Sequence, residues 1–288
     1  MTDVENQLVT LVGARARTEG IAWLDAERAR IAGGDAAALA LAFPAAGRQV
    51  GRGGLDAPGA TITTPGGEVI PLAAWRVDDA ARVVLLLADA RRAPAGALAR
   101  AFTLYQQGDA RERCGVLRAL SLLPGADADD AAIGAVLDAM RTSQGEVLEA
   151  ALCDNPYASR HLPPLEWRMA ALKVVFVGMS LDRVARVAER ADAELAQSLV
   201  DLANEREAAT RAVPPEMWPV AARFPPPGLA AKLVGYLEHP AVAHRAAAAT
   251  ALGLLLPSTP ALRAFLTDRL AREPDAAVQD ALRRALAA

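Results

Sequence analysis

Proline interrupts this sequence at short intervals, and that feature limits the fold more than any other. The interrupting prolines are Pro124, Pro156, Pro163, Pro164, Pro214, Pro215, Pro225, Pro226, Pro227, Pro240, Pro257 and Pro274. Proline removes a backbone donor and clashes with the preceding helical turn, so each of these positions favours the end of one helix or the start of the next. The segments between them predict helices of about 12 to 20 residues joined by short turns.

Apolar residues between these breaks recur at helical spacing. One example steps by four, three, four and three through Leu165, Met169, Leu172, Phe176 and Met179. This spacing places all five side chains on one face of a helix. We therefore expect that face to point into the protein core.

The apolar side chains are mostly small. Hydrophobic residues make up 53% of the 288-residue chain but aromatic residues only 4%, a composition that favours helix packed on helix. Near the C-terminus, His239-Pro240 and Glu273-Pro274 lie 34 positions apart, and each precedes a helix rich in Ala and Leu. A helical pair of this kind buries its apolar face only by stacking on neighbours. The predicted fold is all-α, an αα-superhelix or a HEAT- or armadillo-like solenoid.

One region departs from the helical pattern. Residues 44–72 are rich in Gly and Pro, and Ala60 to Thr64 and Glu68 to Ile70 flank the turn sequence Pro65-Gly66-Gly67. This pattern predicts a long loop that contains a short β-hairpin. A loop of that length inside a compact domain is often a lid, a binding loop or a docking segment.

Charge and cysteine usage exclude several classes of function. The chain has 31 basic and 34 acidic residues, both spread along its length, so no basic stripe is available for nucleic acid. No apolar stretch reaches the roughly 20 residues that span a bilayer. Asp3 and Glu5 occupy the place where a secretory signal has basic residues. Together with only two widely separated cysteines, these features predict a cytoplasmic protein that is not an integral membrane protein.

The centre of the chain carries distinctive segments. They are Arg141-Thr142-Ser143, Glu149-Ala150, Asp154-Asn155-Pro156-Tyr157, Trp167, Leu172-Lys173, Glu205-Arg206 and Glu216-Met217-Trp218, preceded by Trp75-Arg76-Val77-Asp78 and Gly108-Asp109-Ala110-Arg111-Glu112-Arg113. In these segments, residues 75–218 resemble the EboA-domain family. The resemblance implies a helical protein linked to the trafficking or maturation of a secondary metabolite at the cell envelope, with no defined molecular activity. The predicted regions are then N-terminal helices at 1–43, the loop at 44–72, an EboA-like helical core at 73–222 and HEAT-like repeats at 223–288, forming one continuous array.

Lys173 is the most unusual single residue, because it lies in the middle of an apolar helix. A buried ammonium group requires a partner, a route to the surface or a cavity. Three interpretations remain open: a structural ion pair with Glu166, Asp154 or Glu205, a ligand-binding or catalytic role, and simple exposure. Only if it were buried with a lowered pKa would this lysine be a credible nucleophile, the one such candidate in the sequence.

The polar residues around Pro156 allow two interpretations. Asn155 and its neighbours are suited to capping helix ends. Alternatively, Asp154, Asn155 and Tyr157 form a polar edge of a binding surface, together with Arg141 and Glu149. The resemblance adds Trp167, Arg206 and Trp218 as candidates for contact with a ligand or partner.

Carboxylates and histidines give weaker signals. Glu194, Asp201 and Glu205 share a helix face, which suits a solvated surface or, alternatively, a cation site or acid–base chemistry. The three histidines lack the spacing of zinc ligands. No motif of a hydrolase, kinase or nucleotide-binding protein is present, so we expect no metal and no cofactor.

Two functional hypotheses follow. The first is a non-catalytic scaffold or binding protein that offers a helical groove to a partner protein or a small metabolite. The second is an enzyme of unknown class with a pocket around Lys173 and Asp154. The sequence does not specify the oligomeric state.

Overall fold

The computed structural model describes residues 2–287. Within them the chain forms sixteen α-helices and one two-stranded sheet, which confirms the prediction of an all-α protein. The helices are α1 Thr2–Gly13, α2 Thr18–Ala32, α3 Ala38–Gln49, α4 Val77–Arg92, α5 Ala97–Gln107, α6 Ala110–Ala119, α7 Asp130–Arg141, α8 Gly145–Leu152, α9 Pro156–His161, α10 Pro164–Phe176, α11 Ala193–Ala208, α12 Met217–Ala221, α13 Leu229–Tyr236, α14 Val242–Leu255, α15 Leu262–Arg272 and α16 Ala276–Ala287. The strands are β1 Thr61–Thr63 and β2 Val69–Pro71.

The chain divides into two compact units, residues 1–167 and 168–288. In the first unit, α4 is the central helix and packs against α1, α2, α3, α5 and α6. Nearly every residue of α4 is buried. Helix α6 in turn packs on α8, so alternate helices lie against one another, as they do in helical arrays.

A buried cluster of charged side chains joins α4 to α6. Asp78 pairs with Arg82 at 2.6 Å and with Arg111 at 3.0 Å, while Asp79 pairs with Arg111 at 2.5 Å and with Arg118 at 3.2 Å. Burial alone would raise the pKa of Asp78, but hydrogen bonds and charge from Arg111 and Arg82 outweigh it and lower that pKa. Since a buried carboxylate is tolerated only when it is paired, this cluster fixes the position of α6 against α4.

The predicted hairpin is present. Strands β1 and β2 are antiparallel, with Ile62 opposite Ile70. Both isoleucines are buried, because alternate residues of a strand point to the same face. Pro44, the predicted start of the loop, lies inside α3, so the helix continues to Gln49 before the loop begins.

In the second unit, α14 packs along α16. The two helices approach so closely at Gly253 that a Cβ atom there would lie 2.8 Å from the Cβ of Ala285. Helices α12 and α13 pack on α14, and α15 packs on α16. Helix α14 follows the Pro240 segment and helix α16 follows the Pro274 segment, and the assignment of HEAT-like repeats stays a prediction.

The predicted core face of α10 is wrong. Leu165, Met169 and Phe176 are 57%, 55% and 67% exposed. The buried side of the helix is instead formed by Trp167, Ala170, Ala171, Val174 and Val175. Both sides of α10 are apolar, so periodicity alone does not distinguish the core face from the surface face.

Among residues 2–287, no helix is both long enough and apolar enough to cross a membrane.

Candidate functional site

A surface groove lies between α10 and α11, and we call it the α10–α11 groove. It has a volume of about 510 Å³, within the range of small-molecule sites. Its lining residues are Leu172, Lys173, Phe176, Ser198, Asp201, Leu202 and Glu205. All of them belong to the second unit.

Local sequence explains why α11 presents these side chains. The carboxylate of Asp192 caps the helix by accepting a hydrogen bond from the backbone N–H of Leu195 at 2.8 Å. Leu195 and Leu199 are fully buried and seat the helix on the core. The opposite side of the same helix therefore faces the groove, at the helical spacing of Ser198, Asp201, Leu202 and Glu205.

The groove is lined by both apolar and charged side chains. Leu172, Phe176 and Leu202 supply the apolar surface, and Phe176 is 67% exposed. The lining contains one cation, Lys173, and two carboxylates, Asp201 and Glu205, so its net charge is negative. An arrangement of this kind suits a ligand with an apolar body and a polar end that remains near water.

The structure brings two of the predicted site residues together in this groove, Lys173 and Glu205. Lys173 is half-buried, whereas Glu205 is exposed. Asp154 lies in the first unit, after the end of α8, where it adopts a left-handed backbone conformation with φ of 53°. Asp and Asn tolerate that conformation better than most residues.

The Asn-Pro-Tyr segment is buried rather than exposed as a polar edge. Asn155 caps α9 by accepting a hydrogen bond from the backbone N–H of Tyr157 at 3.1 Å. Its amide donates to the carbonyls of Leu117 at 3.0 Å and Ala150 at 2.9 Å. The Tyr157 hydroxyl donates to the carbonyl of Ala126 at 2.8 Å. The structure thus shows capping and core packing at this segment, in line with the first of the two interpretations.

The two tryptophans of the predicted set are also core residues. Trp167 is 2% exposed and Trp218 is fully buried. The ring of Trp218 meets that of Tyr236 edge-on at 4.9 Å, and the Lys232 ammonium lies 5.8 Å from the Trp218 ring centroid. Neither indole presents a surface to a ligand.

The remaining predicted residues are not among those that line the groove. Arg141 is exposed at the end of α7, and Glu149 is half-buried in α8. Arg206 donates from Nε to the carbonyl of Ala212 at 2.6 Å, which ties down the chain after α11. Glu194, the third carboxylate of its predicted face, pairs with Arg168 at 2.6 Å.

Within residues 2–287, no group of three or more His, Cys, Asp or Glu side chains is arranged to hold a metal ion. Both cysteines are buried. Burial raises the pKa of the Cys114 thiol to about 12, which disfavours the reactive thiolate at neutral pH.

Sequence reasoning missed Leu172 and Phe176 as groove residues, because it placed both in the core. The signal that was available is the apolar character of α10 on both sides. Only one side of such a helix packs on the core, and Phe176 belongs to the side that stays exposed.

The fold and the groove define a class of protein: an all-α chain with an apolar surface groove between two helices. The chain belongs to the EboA family, since the family model described as metabolite traffic protein EboA matches residues 4–222. The match includes the whole groove. Comparisons with curated proteins and with solved structures give no match.

Proposed function

We propose that this protein is a non-catalytic binding protein in metabolite trafficking, and that the α10–α11 groove holds a small, largely apolar metabolite. The observation that carries the proposal is the apolar surface formed by Leu172, Leu202 and the exposed Phe176 in a cavity of about 510 Å³. The family description, metabolite traffic protein, supports a metabolite as the ligand.

The exposure of Phe176 supports binding rather than a purely structural role. A phenylalanine that is 67% exposed leaves much of its apolar area in water, and burial of apolar surface contributes about 25 cal/mol per Å². A ligand that covers the ring removes that area from water. The carboxylates of Asp201 and Glu205 favour a neutral or cationic polar end on the ligand over an anionic one.

A fluorescence titration with N-phenyl-1-naphthylamine, a neutral apolar probe, tests the proposal. The wild type is expected to bind the probe, and Phe176→Ser is expected to weaken binding by roughly tenfold or more, since about 1.4 kcal/mol of lost contact corresponds to a factor of ten. Phe265→Ser is the matched control, because Phe265 is 50% exposed in the same unit but outside the groove. Equal weakening by both substitutions, or by neither, would contradict the proposal.

A second variant separates binding from catalysis at Lys173. Lys173→Met keeps an apolar stem and removes the charge. The binding proposal predicts that this variant still binds the probe and still supports production of the pathway's metabolite. Probe binding that persists while metabolite production is lost would instead favour the alternative hypothesis of an enzyme that uses Lys173.

A further inference from the structure

A second cavity lies in the first unit between α5 and α7, with a volume of about 420 Å³. Phe102 and Tyr105 of α5 line one side, Gly134 and Asp138 of α7 line the other, and Arg113 of α6 completes it. We call it the Arg113 cavity. It belongs to a different unit from the α10–α11 groove, and the inference about it does not depend on the proposed function.

Gly134 contributes no side chain to the wall of the cavity, and the space beside it is open. A Cβ atom built at this position would meet no atom of the described residues within 4 Å. Glycine in the middle of a helix is unfavourable by about 0.5–1 kcal/mol relative to alanine. The backbone conformation of α7 does not require glycine here, since Gly134 is helical and is not among the positions with positive φ.

Arg113 has donor capacity that its neighbours do not use. Its guanidinium lies 5.4 Å from the centroid of the Tyr105 ring, and Nη1 is 3.9 Å from a carboxylate oxygen of Asp138. That distance is too long for a direct hydrogen bond. The Nε atom is buried and has no acceptor among residues 2–287.

Asp138 already has a closer donor. The Tyr105 hydroxyl donates to its carboxylate at 2.8 Å and also lies 3.1 Å from the carbonyl of Ala135. Burial and this contact with Asp138 raise the pKa of Tyr105, so the hydroxyl remains protonated and keeps donating at neutral pH. The charge of Asp138 is therefore partly satisfied by the tyrosine, whereas the guanidinium of Arg113 has, among the described residues, no carboxylate closer than the 3.9 Å to Asp138.

We propose that the Arg113 cavity binds a small aromatic carboxylate. The planar guanidinium is suited to pair with a carboxylate through two parallel hydrogen bonds. The rings of Phe102 and Tyr105 line the same cavity and provide an apolar surface for the aromatic body of the ligand. Helix α7 contributes only small residues next to that surface, namely Ala131, Gly134 and Ala135.

Isothermal titration calorimetry with 2-naphthoate tests the charge preference, with protonated 2-naphthylmethylamine as the comparison. We expect the full-length protein to bind the acid with a Kd on the order of 1 mM or tighter, which is typical of a ligand of this size. The amine is expected to bind at least about tenfold more weakly. No heat of binding from the acid up to about 10 mM, or equal affinity for acid and amine, would overturn the proposal.

Filling the cavity is the sharper test. Gly134→Leu is expected to weaken 2-naphthoate binding by at least about tenfold without lowering the melting temperature, because leucine has a higher helix propensity than glycine and the space beside residue 134 is open. Gly235→Leu is the matched control, since Gly235 lies in α13 with equally open space beside it. It should keep wild-type affinity.

A third variant distinguishes this cavity from the groove. Phe176→Ser, which alters the α10–α11 groove, should leave 2-naphthoate binding unchanged. If Gly134→Leu binds 2-naphthoate as the wild type does, or if Phe176→Ser abolishes that binding, the assignment to the Arg113 cavity is wrong.

Discussion

Glu273→Gln is expected to destabilise the second unit strongly. Glu273 is 3% exposed and lies between two arginines. Its carboxylate accepts hydrogen bonds from Arg245 at 2.8 and 2.9 Å and from Arg269 at 2.5 and 2.8 Å, and from the backbone N–H of Asp275 at 3.0 Å. Arg245 belongs to α14 and Arg269 to α15. Glutamine keeps the shape of the side chain, but its amide N–H groups would face the N–H donors of Arg245, Arg269 and the Asp275 backbone.

Two estimates of the magnitude agree. Removing one partner of a buried ion pair typically costs about 3–5 kcal/mol. Independently, hydrogen bonds from Arg245 and Arg269 lower the pKa of Glu273 from 4.5 to about 2, and that shift corresponds to about 3 kcal/mol at about 1.4 kcal/mol per pKa unit. A loss of about 3 kcal/mol lowers the melting temperature by roughly 6–12 °C in a chain of this size.

Thermal unfolding followed by circular dichroism measures the effect. The matched control is Asp280→Asn, because Asp280 pairs with Arg283 at 2.8 Å but both side chains are 58% exposed. An exposed pair contributes about 0–1 kcal/mol, so this variant should melt close to the wild type.

The pH dependence of stability gives a further check on the comparison of wild type with Glu273→Gln. Because the folded-state pKa of Glu273 is lowered, its contribution is fully present above pH 4.5 and is lost as the pH falls through about 2. The difference between wild type and Glu273→Gln should therefore be constant from pH 7 to pH 5 and shrink below that. A difference as small as that of Asp280→Asn, or one that does not change with pH, would refute the reasoning.

Three further predictions concern other parts of the fold. Asn155→Ala should lower the free energy of unfolding by about 2–3 kcal/mol in urea titrations, because it removes the buried side-chain donor to the carbonyls of Leu117 and Ala150 and the acceptor that caps α9. An effect below about 0.5 kcal/mol would contradict the structural role given to this residue. Neither cysteine should react with iodoacetamide at pH 8 in the native protein, since both are buried and the pKa of Cys114 is raised to about 12. Mass spectrometry should find both cysteines modified once the protein is unfolded. Rapid labelling of the native protein would be inconsistent with this burial. Gly253→Ala should destabilise the protein by about 1–3 kcal/mol, since its Cβ would press on α16. Gly134→Ala should instead stabilise the protein by up to about 1 kcal/mol. The opposite order of stability in denaturant titrations would show that α14 and α16 are not in close contact at Gly253.

Sequence reasoning succeeded where a local rule acts on neighbouring residues. The proline breaks, the helical composition and the turn at Pro65-Gly66-Gly67 predicted an all-α chain with one hairpin, and the structure confirms both. Asn155 is a further example, since its role as a cap follows from its position directly before Pro156.

Sequence reasoning failed where the outcome depends on distant partners. Helix α10 is apolar on two sides, and only packing decides that Val174 is buried while Phe176 is exposed. The groove requires α11 to lie beside α10, and no local pattern encodes that contact. The same limit applies to the Arg113 cavity, because the pairing of Tyr105 with Asp138 joins residues 33 positions apart.

The central claim is that the α10–α11 groove binds a metabolite, and the most direct test is to identify the small molecules bound to the purified protein. The full-length chain and its Leu202→Asp variant would be purified from cells that make the pathway's metabolite, and bound small molecules would be released and measured by mass spectrometry. The account predicts a largely apolar compound that is retained by the wild type in near-stoichiometric amount and is depleted at least about tenfold in Leu202→Asp. A folded wild type that retains no such compound, or a variant that retains it equally well, would contradict the assignment of the α10–α11 groove as the metabolite site.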